Sequence, residues 1–362
     1  VAIVGNEVIF QNDIMHGQLQ SSMRSGLIYG IFLALATLKI LSMPIHSFDA
    51  CEYSYLVSSD IRAFKQTPDL PIDCQLRPDR VYAYNTPFYI VKPLFLWMVR
   101  ASAHATGAPV APFAVSAAAY FALGWTVWFW LRSYGLPGGW RTLAAMSLMF
   151  SSVATDTARM ATPDTLCALL LVTGTWLLFF TDRYKALGAV SLSVSVFCRS
   201  DCLILAGLLL GVAYLRRLIE FRRALACCMF MLGSYLAIAR VGYPYHYLLS
   251  QTLGTSYGHA IIRNLAKTEI AIYSPFVLLA LIAIKLRGDL YLLGVCLASF
   301  IVRYLLLPHL EIRYLLPQGV IVGTVAAGIA LGRGPSNQPL SERGGSWYPR
   351  QPSVGSALTT RS

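Results

Sequence analysis

Apolar runs of hydrocarbon length recur along this chain, set apart by short basic clusters, and no other feature limits the possible folds so strongly. Crossing about 30 Å of hydrocarbon takes about 20 apolar residues of helix, and the stretch from Gly26 to Pro44 is of that order. A closed β-barrel would instead show alternating segments of about ten residues. The chain is 56% hydrophobic and 13% charged, which is a membrane composition rather than a globular one. The expected fold is all-α, a polytopic transmembrane helix bundle of about ten spans.

Spans are expected near residues 26–44, 109–131, 141–158, 164–181, 186–200, 202–215, 224–239, 270–286, 288–304 and 314–332. Residues 1–25 read as an N-terminal cytoplasmic tail, 26–332 as the transmembrane domain and 333–362 as a disordered cytoplasmic tail rich in Gly, Pro, Ser and Arg. The first outer loop covers 45–108, and its segment 87–100 mixes apolar residues with Pro93, Lys92, Trp97 and Arg100. That mixture suits a helix lying in the interface. Placed there, the segment leaves Arg24, Arg132, Arg141, Arg183, Lys185 and the 216–223 cluster on one side, as the positive-inside rule requires.

A net charge of +12 would raise nucleic acid as a partner for a soluble chain. Here the cations sit between apolar runs, and no basic tract is interleaved with stacking aromatics. Membrane lipids are therefore the expected surroundings, and no nucleic-acid partner is expected. Cys198, Cys202, Cys227 and Cys228 lack zinc-ligand spacing and read as buried thiols. Cys51 and Cys74 share the first polar loop, where one disulfide is open to them if that side is oxidising.

With this topology the outer face collects ionisable residues. Asp49 and Glu52 follow the first span; Asp156, Arg159 and Asp164 flank Met160 to Pro163; Arg199 and Asp201 share the next outer turn; Arg303, His309, Glu311 and Arg313 close the set. Cations beside spans are costly and mark substrate or ion pathways. Each group also has a plainer reading. Asp156 and Arg159 can pair on one helix face, Arg199 and Asp201 can cap a turn, and Asp164 can cap its helix or orient Arg159.

Five stretches, read in order, resemble the polytopic glycosyltransferases of the GT-C class, in the branch that includes protein O-mannosyltransferases and lipid A aminoarabinose transferases. Asp49, Glu52, Tyr53 and Tyr55 resemble the family's Asp-Glu-x-x-Tyr signature, and Lys92-Pro93-Leu94 its Lys-Pro-Pro-Leu. Arg159 to Asp164 is similar to the outer turn ending in Pro-Asp, Phe197 to Asp201 to an Arg-containing turn, and Glu311 to Pro317 to the Glu-Arg-Tyr-x-x-Pro region. The chain departs from the pattern in places. Aligning Glu52 and Tyr55 on the signature puts Cys51 where the family has its catalytic Asp, one Pro rather than two follows Lys92, and Ile312 separates Glu311 from Arg313.

The resemblance implies inverting transfer of a sugar from a polyprenyl-phosphate donor to a lipid, glycan or protein acceptor, on the periplasmic or lumenal face of a membrane, here a bacterial inner membrane. Asp49 or Glu52 is the expected general base. Lys92, Arg159, Asp164, Arg199, His309, Glu311, Arg313, Tyr53 and Tyr55 are the expected substrate contacts, with guanidinium groups on the donor phosphate. The resemblance specifies no cofactor and allows a divalent metal, with Glu52 as helper or metal contact. The alternatives are a polyprenyl-linked glycan polymerase, a flippase, or an inactive member of the family.

Overall fold

The computed structural model describes residues 3–45, 47–58, 61–66, 70, 72–241, 290–306 and 312–332. Among them the regular elements are all helical. In chain order they are α1 (Ile3–Ser42), α2 (Phe48–Val57), α3 (Ile61–Lys65), α4 (Ile72–Leu76), α5 (Asp79–Ile90), α6 (Pro93–Thr106), α7 (Ala111–Ser133), α8 (Gly138–Met149) and α9 (Ser152–Arg159). There follow α10 (Pro163–Phe180), α11 (Lys185–Val194), α12 (Cys202–Leu215), α13 (Phe221–Val241), α14 (Leu290–Leu306) and α15 (Leu316–Leu331).

Five segments among the described residues are long and apolar enough to cross a membrane: Ser22–Ser42, Ala111–Ser133, Pro163–Phe180, Phe221–Ile238 and Arg313–Leu331. The second, third and fifth are 67%, 72% and 72% buried, against 22% for the first and fourth. The bundle is thus centred on α7, α10 and α15. The outward faces of α1 (Leu27, Ile31, Leu35, Leu38) and α13 (Leu225, Met229, Leu232, Leu236) stay exposed, as suits helices with lipid on one side.

The described helices do not reproduce ten full spans. The expected span 141–158 is two helices, α8 and α9, broken where the Ser151 hydroxyl caps α9 by accepting from the Ala154 amide. The expected span 186–200 closes early. Ser193 and Ser195 donate their hydroxyls back to the Ala189 and Leu192 carbonyls, and the chain tightens into a 3-10 turn over Ser195–Phe197. Such back-bonding competes with the helix ladder. At 14 residues α12 is about 21 Å long, short of the hydrocarbon thickness. The span 270–286 and the tail 333–362 lie outside the described residues. At the other end, the helix of α1 begins at Ile3 rather than near Gly26.

Close approach of α10 and α11 carries the 3-10 turn to the site. A Cβ on Gly188 would sit 2.7 Å from the Leu178 amide nitrogen, and one on Gly174 would sit 2.8 Å from Leu192. Small residues let two backbones pack this closely.

The first loop folds into a cap of short helices with its own small core. Cys51, Phe64, Leu70, Cys74 and Tyr82 are buried together, with Tyr55 packed against them. A disulfide joins Cys51 to Cys74, the Tyr82 hydroxyl donates to the Cys74 carbonyl at 2.8 Å, and Arg77 lies 3.6 Å from the fully buried Glu52 carboxylate. Closing a loop with a sequence separation of 23 residues should stabilise the cap by about 3 kcal/mol. Cys51→Ser with Cys74→Ser is expected to raise limited proteolysis within 50–90 while leaving α7 and α10 protected. Unchanged cleavage of the cap would show that its core holds without the bridge.

Candidate active site between the cap and the bundle

The start of α2 is fixed by contacts made outside it. The Ile45 amide donates to the Arg159 carbonyl at 2.9 Å. The Ser47 hydroxyl donates to the Met160 carbonyl at 3.1 Å and accepts from the Ala50 amide, capping α2. Asp49 therefore stands in the first turn of α2, beside the reversal from α9 to α10. That reversal is tight: Ala161 has φ 53°, a left-handed conformation that costs a non-glycine residue about 1 kcal/mol or more. Pro163 opens α10, and the Thr162 hydroxyl donates to the Asp164 carboxylate at 2.6 Å, aiming that acid inward from the first turn.

Around these two acids a buried ionic cluster forms. Asp49 accepts from the Tyr89 hydroxyl and from Arg313. Asp164 pairs with Arg199 and lies 3.9 Å from Arg313. Asp201 accepts from Arg199 Nε and Nη2 at 2.9 and 3.0 Å, and from Arg303 Nε at 2.7 Å. Tyr314 is the shared floor: the guanidinium carbons of Arg199, Arg303 and Arg313 lie 4.1, 4.4 and 5.2 Å from its ring centre, within cation–π range. The Lys92 ammonium is 4.8 Å from the ring of Tyr89 and within electrostatic range of Asp49, Asp164, Arg199 and Arg313. Among the described residues, four cations (Lys92, Arg199, Arg303, Arg313) thus meet three carboxylates (Asp49, Asp164, Asp201).

Burial raises the Asp49 carboxyl, but Arg313, Lys92 and the hydrogen bonds from Tyr89 and Arg313 outweigh it and hold the group below its ordinary value. Lys92 is pushed down to about 8 by burial, with Asp49 opposing. Asp164, Arg199, Asp201, Arg303, Arg313 and Tyr314 line a cavity of about 20 Å³, roughly the room one water needs. Apolar and thiol side chains (Leu171, Leu205, Cys167, Cys202) line its far side.

Tyr53 is fully buried, with Tyr89 and Phe95 set edge-on at 5.0 and 4.8 Å. Its hydroxyl has no hydrogen-bond partner among the described residues, a cost of about 1–3 kcal/mol. Its ring faces are thus occupied by protein, so what Tyr53 offers a ligand is the hydroxyl rather than a stacking surface.

Of the expected site residues, Asp49, Lys92, Tyr53, Asp164, Arg199 and Arg313 come together. Glu52 turns instead toward Arg77 within the cap, and Tyr55 packs on Phe64 and Tyr82. Arg159 points away from the cluster, donating to the Met43 carbonyl at 2.7 Å and pairing with Asp156 at 3.2 Å. Asp164 orients Arg199 and Arg313, not Arg159. His309 and Glu311 lie outside the described residues. Asp201, Arg303, Tyr89 and Tyr314 belong to the cluster without having been expected as contacts. The available signals were the Asp two residues after Arg199, a cation near the end of an apolar helix, and a Tyr beside Arg313. Among the described residues, no group of three or more His, Cys, Asp or Glu is arranged to hold a metal ion.

Arg159→Ala is accordingly expected to leave the cluster intact and to shift thermal stability by no more than an exposed pair contributes, about 0–1 kcal/mol. A loss of several kcal/mol in a thermal melt would place Arg159 in the cluster's support. Compared with known proteins, the chain matches no family model, no curated protein and no solved structure.

Proposed function

We propose that the chain is an inverting membrane glycosyltransferase that takes its sugar from a polyprenyl-phosphate donor on the extracytoplasmic face, with Asp49 as general base. The observation that carries this reading is the convergence of Asp49 with Lys92, Arg199, Arg303 and Arg313, drawn from five separate parts of the chain, in one buried cluster. A cluster that gathers three guanidinium groups and an ammonium beside apolar walls suits an anion attached to a hydrocarbon tail. Guanidinium groups match phosphate oxygens well. The membrane-crossing helices supply the setting in which such a lipid travels.

In this reaction the acceptor oxygen bonds the anomeric carbon while its proton passes to the Asp49 carboxylate. The bond from that carbon to the phosphate oxygen breaks on the opposite side, its electron pair stays on the lipid phosphate, and the configuration inverts. Lys92 and Arg313 stabilise the charge developing on the leaving phosphate.

The test is transfer itself. Vesicles containing the full-length protein, supplied with radiolabelled polyprenyl-phosphate mannose or aminoarabinose and with membrane extract as acceptor, should yield labelled acceptor with inverted linkage. Unlabelled acceptor with both donors would count against the reading.

A pH dependence follows from Lys92. The charged ammonium binds phosphate, so kcat/KM for donor should fall as pH rises through about 8, and Lys92→Arg, which keeps its charge, should lose that alkaline limb. Fold stability runs the other way. Because the folded value lies below the ordinary 10.5, the unfolded chain binds more protons between about 8 and 10.5, and stability rises with pH across that window. An alkaline limb that persists in Lys92→Arg would assign it to another group.

A further inference from the structure

Each carboxylate of the cluster is already engaged by arginine: Asp49 by Arg313, Asp164 by Arg199, and Asp201 by Arg199 and Arg303. The cavity beside Asp164, Arg199, Asp201, Arg303 and Arg313, about 20 Å³, has room for about one water. For a phosphate to take the Arg313 guanidinium, Arg313 has to give up its hold on Asp49.

The ion pairs differ in what they join. Arg199 and Asp201 are two residues apart on one turn, and Asp201 also holds Arg303. The Asp49–Arg313 pair connects the cap to the 3-10 turn before α15, across 264 residues of sequence. Both of its members keep a second contact if they separate: Asp49 the Tyr89 hydroxyl, and Arg313 both Asp164 at 3.9 Å and the ring of Tyr314. Beside the pair, the buried Tyr53 hydroxyl has no hydrogen-bond partner among the described residues and lies within electrostatic range of Asp49, Asp164, Arg199 and Arg313.

We propose that the Asp49–Arg313 ion pair is an autoinhibitory latch opened by competition: the donor's phosphate takes the Arg313 guanidinium and the Tyr53 hydroxyl, and only then is the Asp49 carboxylate free to act as base. This rests on the donor reading above and adds an order to it, donor before acceptor. While Arg313 holds Asp49 the carboxylate is a weak base, since its proton affinity is held below the ordinary value. Once the guanidinium moves to phosphate, the same carboxylate keeps Tyr89 and Lys92 but loses its strongest opposing charge, so burial raises its basicity. The base is therefore active only when a sugar is present to be transferred.

Linkage makes the latch measurable, because whatever phosphate binding costs the ion pair, removing the pair returns to phosphate binding. The probe is sugar-free polyprenyl phosphate, bound to the full-length protein in lipid nanodiscs. Asp49→Asn, which cannot hold Arg313 by charge, should bind it about tenfold tighter, within the range usual for coupled sites. Tyr89→Phe removes a hydrogen bond that Asp49 already holds in the closed latch and depends on more once Arg313 has left, and should bind more weakly. Combined with Asp49→Asn, that weakening should vanish. Tyr53→Phe should weaken binding severalfold in both backgrounds, since its hydroxyl meets the phosphate directly.

A folding defect would not tighten binding, so the expected gain in Asp49→Asn cannot be mistaken for damage. If that variant does not fold, Tyr89→Phe carries the test alone, and binding equal to the parent's would overturn the latch. Equal or weaker binding by a folded Asp49→Asn, with the parent binding normally, overturns the latch and leaves the donor reading in place. Absence of binding by both overturns the donor reading as well.

Discussion

Asp49→Asn in the full-length protein is expected to lower sugar transfer by roughly 10²- to 10⁴-fold, the usual worth of a positioned general base, while Glu52→Gln retains most of it. The two acids are three residues apart on α2, and the sequence favoured Asp49 without deciding between them. In the structure Asp49 meets Arg313 and Tyr89 at the junction of cap and bundle, and Glu52 is enclosed in the cap beside Arg77. Asn preserves the shape of the side chain and can still accept from Tyr89, so the folded protein should persist and the loss should fall on the chemical step. Because the phosphate contacts are untouched, KM for donor should not rise. Initial rates with labelled donor would decide the matter: the reverse ranking, with Glu52→Gln inactive and Asp49→Asn active, would move the base into the cap.

Asp201→Ala is expected to destabilise the protein by about 3–5 kcal/mol, the cost of stripping a buried charge of its partner. Asp201 receives two hydrogen bonds from Arg199 and one from Arg303, and Arg303 is itself buried on α14. Without the carboxylate, two guanidinium groups share the ring of Tyr314, Arg199 keeping Asp164 and Arg303 losing its carboxylate partner among the described residues. Their mutual repulsion then acts in a site from which water is largely excluded. The thermal midpoint in detergent should drop well below the parent's, and Arg303→Met in the same chain should recover part of the loss by removing one of the orphaned charges. A midpoint within a degree of the parent's would mean that the cluster is open to water and that its pairs contribute little.

How much of this was legible beforehand varies by element. The apolar runs located α7, α10, α12, α13 and α15 to within a few residues, because hydrophobic length along a helix is a local property. The same runs did not reveal the break between α8 and α9 or the early end of α11, because single Ser hydroxyls made those boundaries by bonding to the backbone. Asp49 and Lys92 were singled out through the motifs they resemble, and Arg199 and Arg313 as costly charges next to hydrocarbon, a judgement that needs no coordinates. Arg159 was singled out on the same grounds and belongs elsewhere, since a residue three positions from Asp156 can satisfy its charge on its own helix.

The sequence by itself determined that the chain is helical, that several of its helices suit a membrane, and which charges would be expensive to leave unpaired, since composition and period set all three. Only the tertiary structure decided who pairs with whom. The Asp49–Arg313 contact spans 264 residues, and its existence depends on Ser47 docking on Met160 and on the reversal at Ala161. The same folding sends Glu52 into the cap and gathers Arg199, Arg303 and Arg313 around Tyr314. Local pattern carries the cost of a charge, whereas the position of the partner that offsets it is a property of the folded whole.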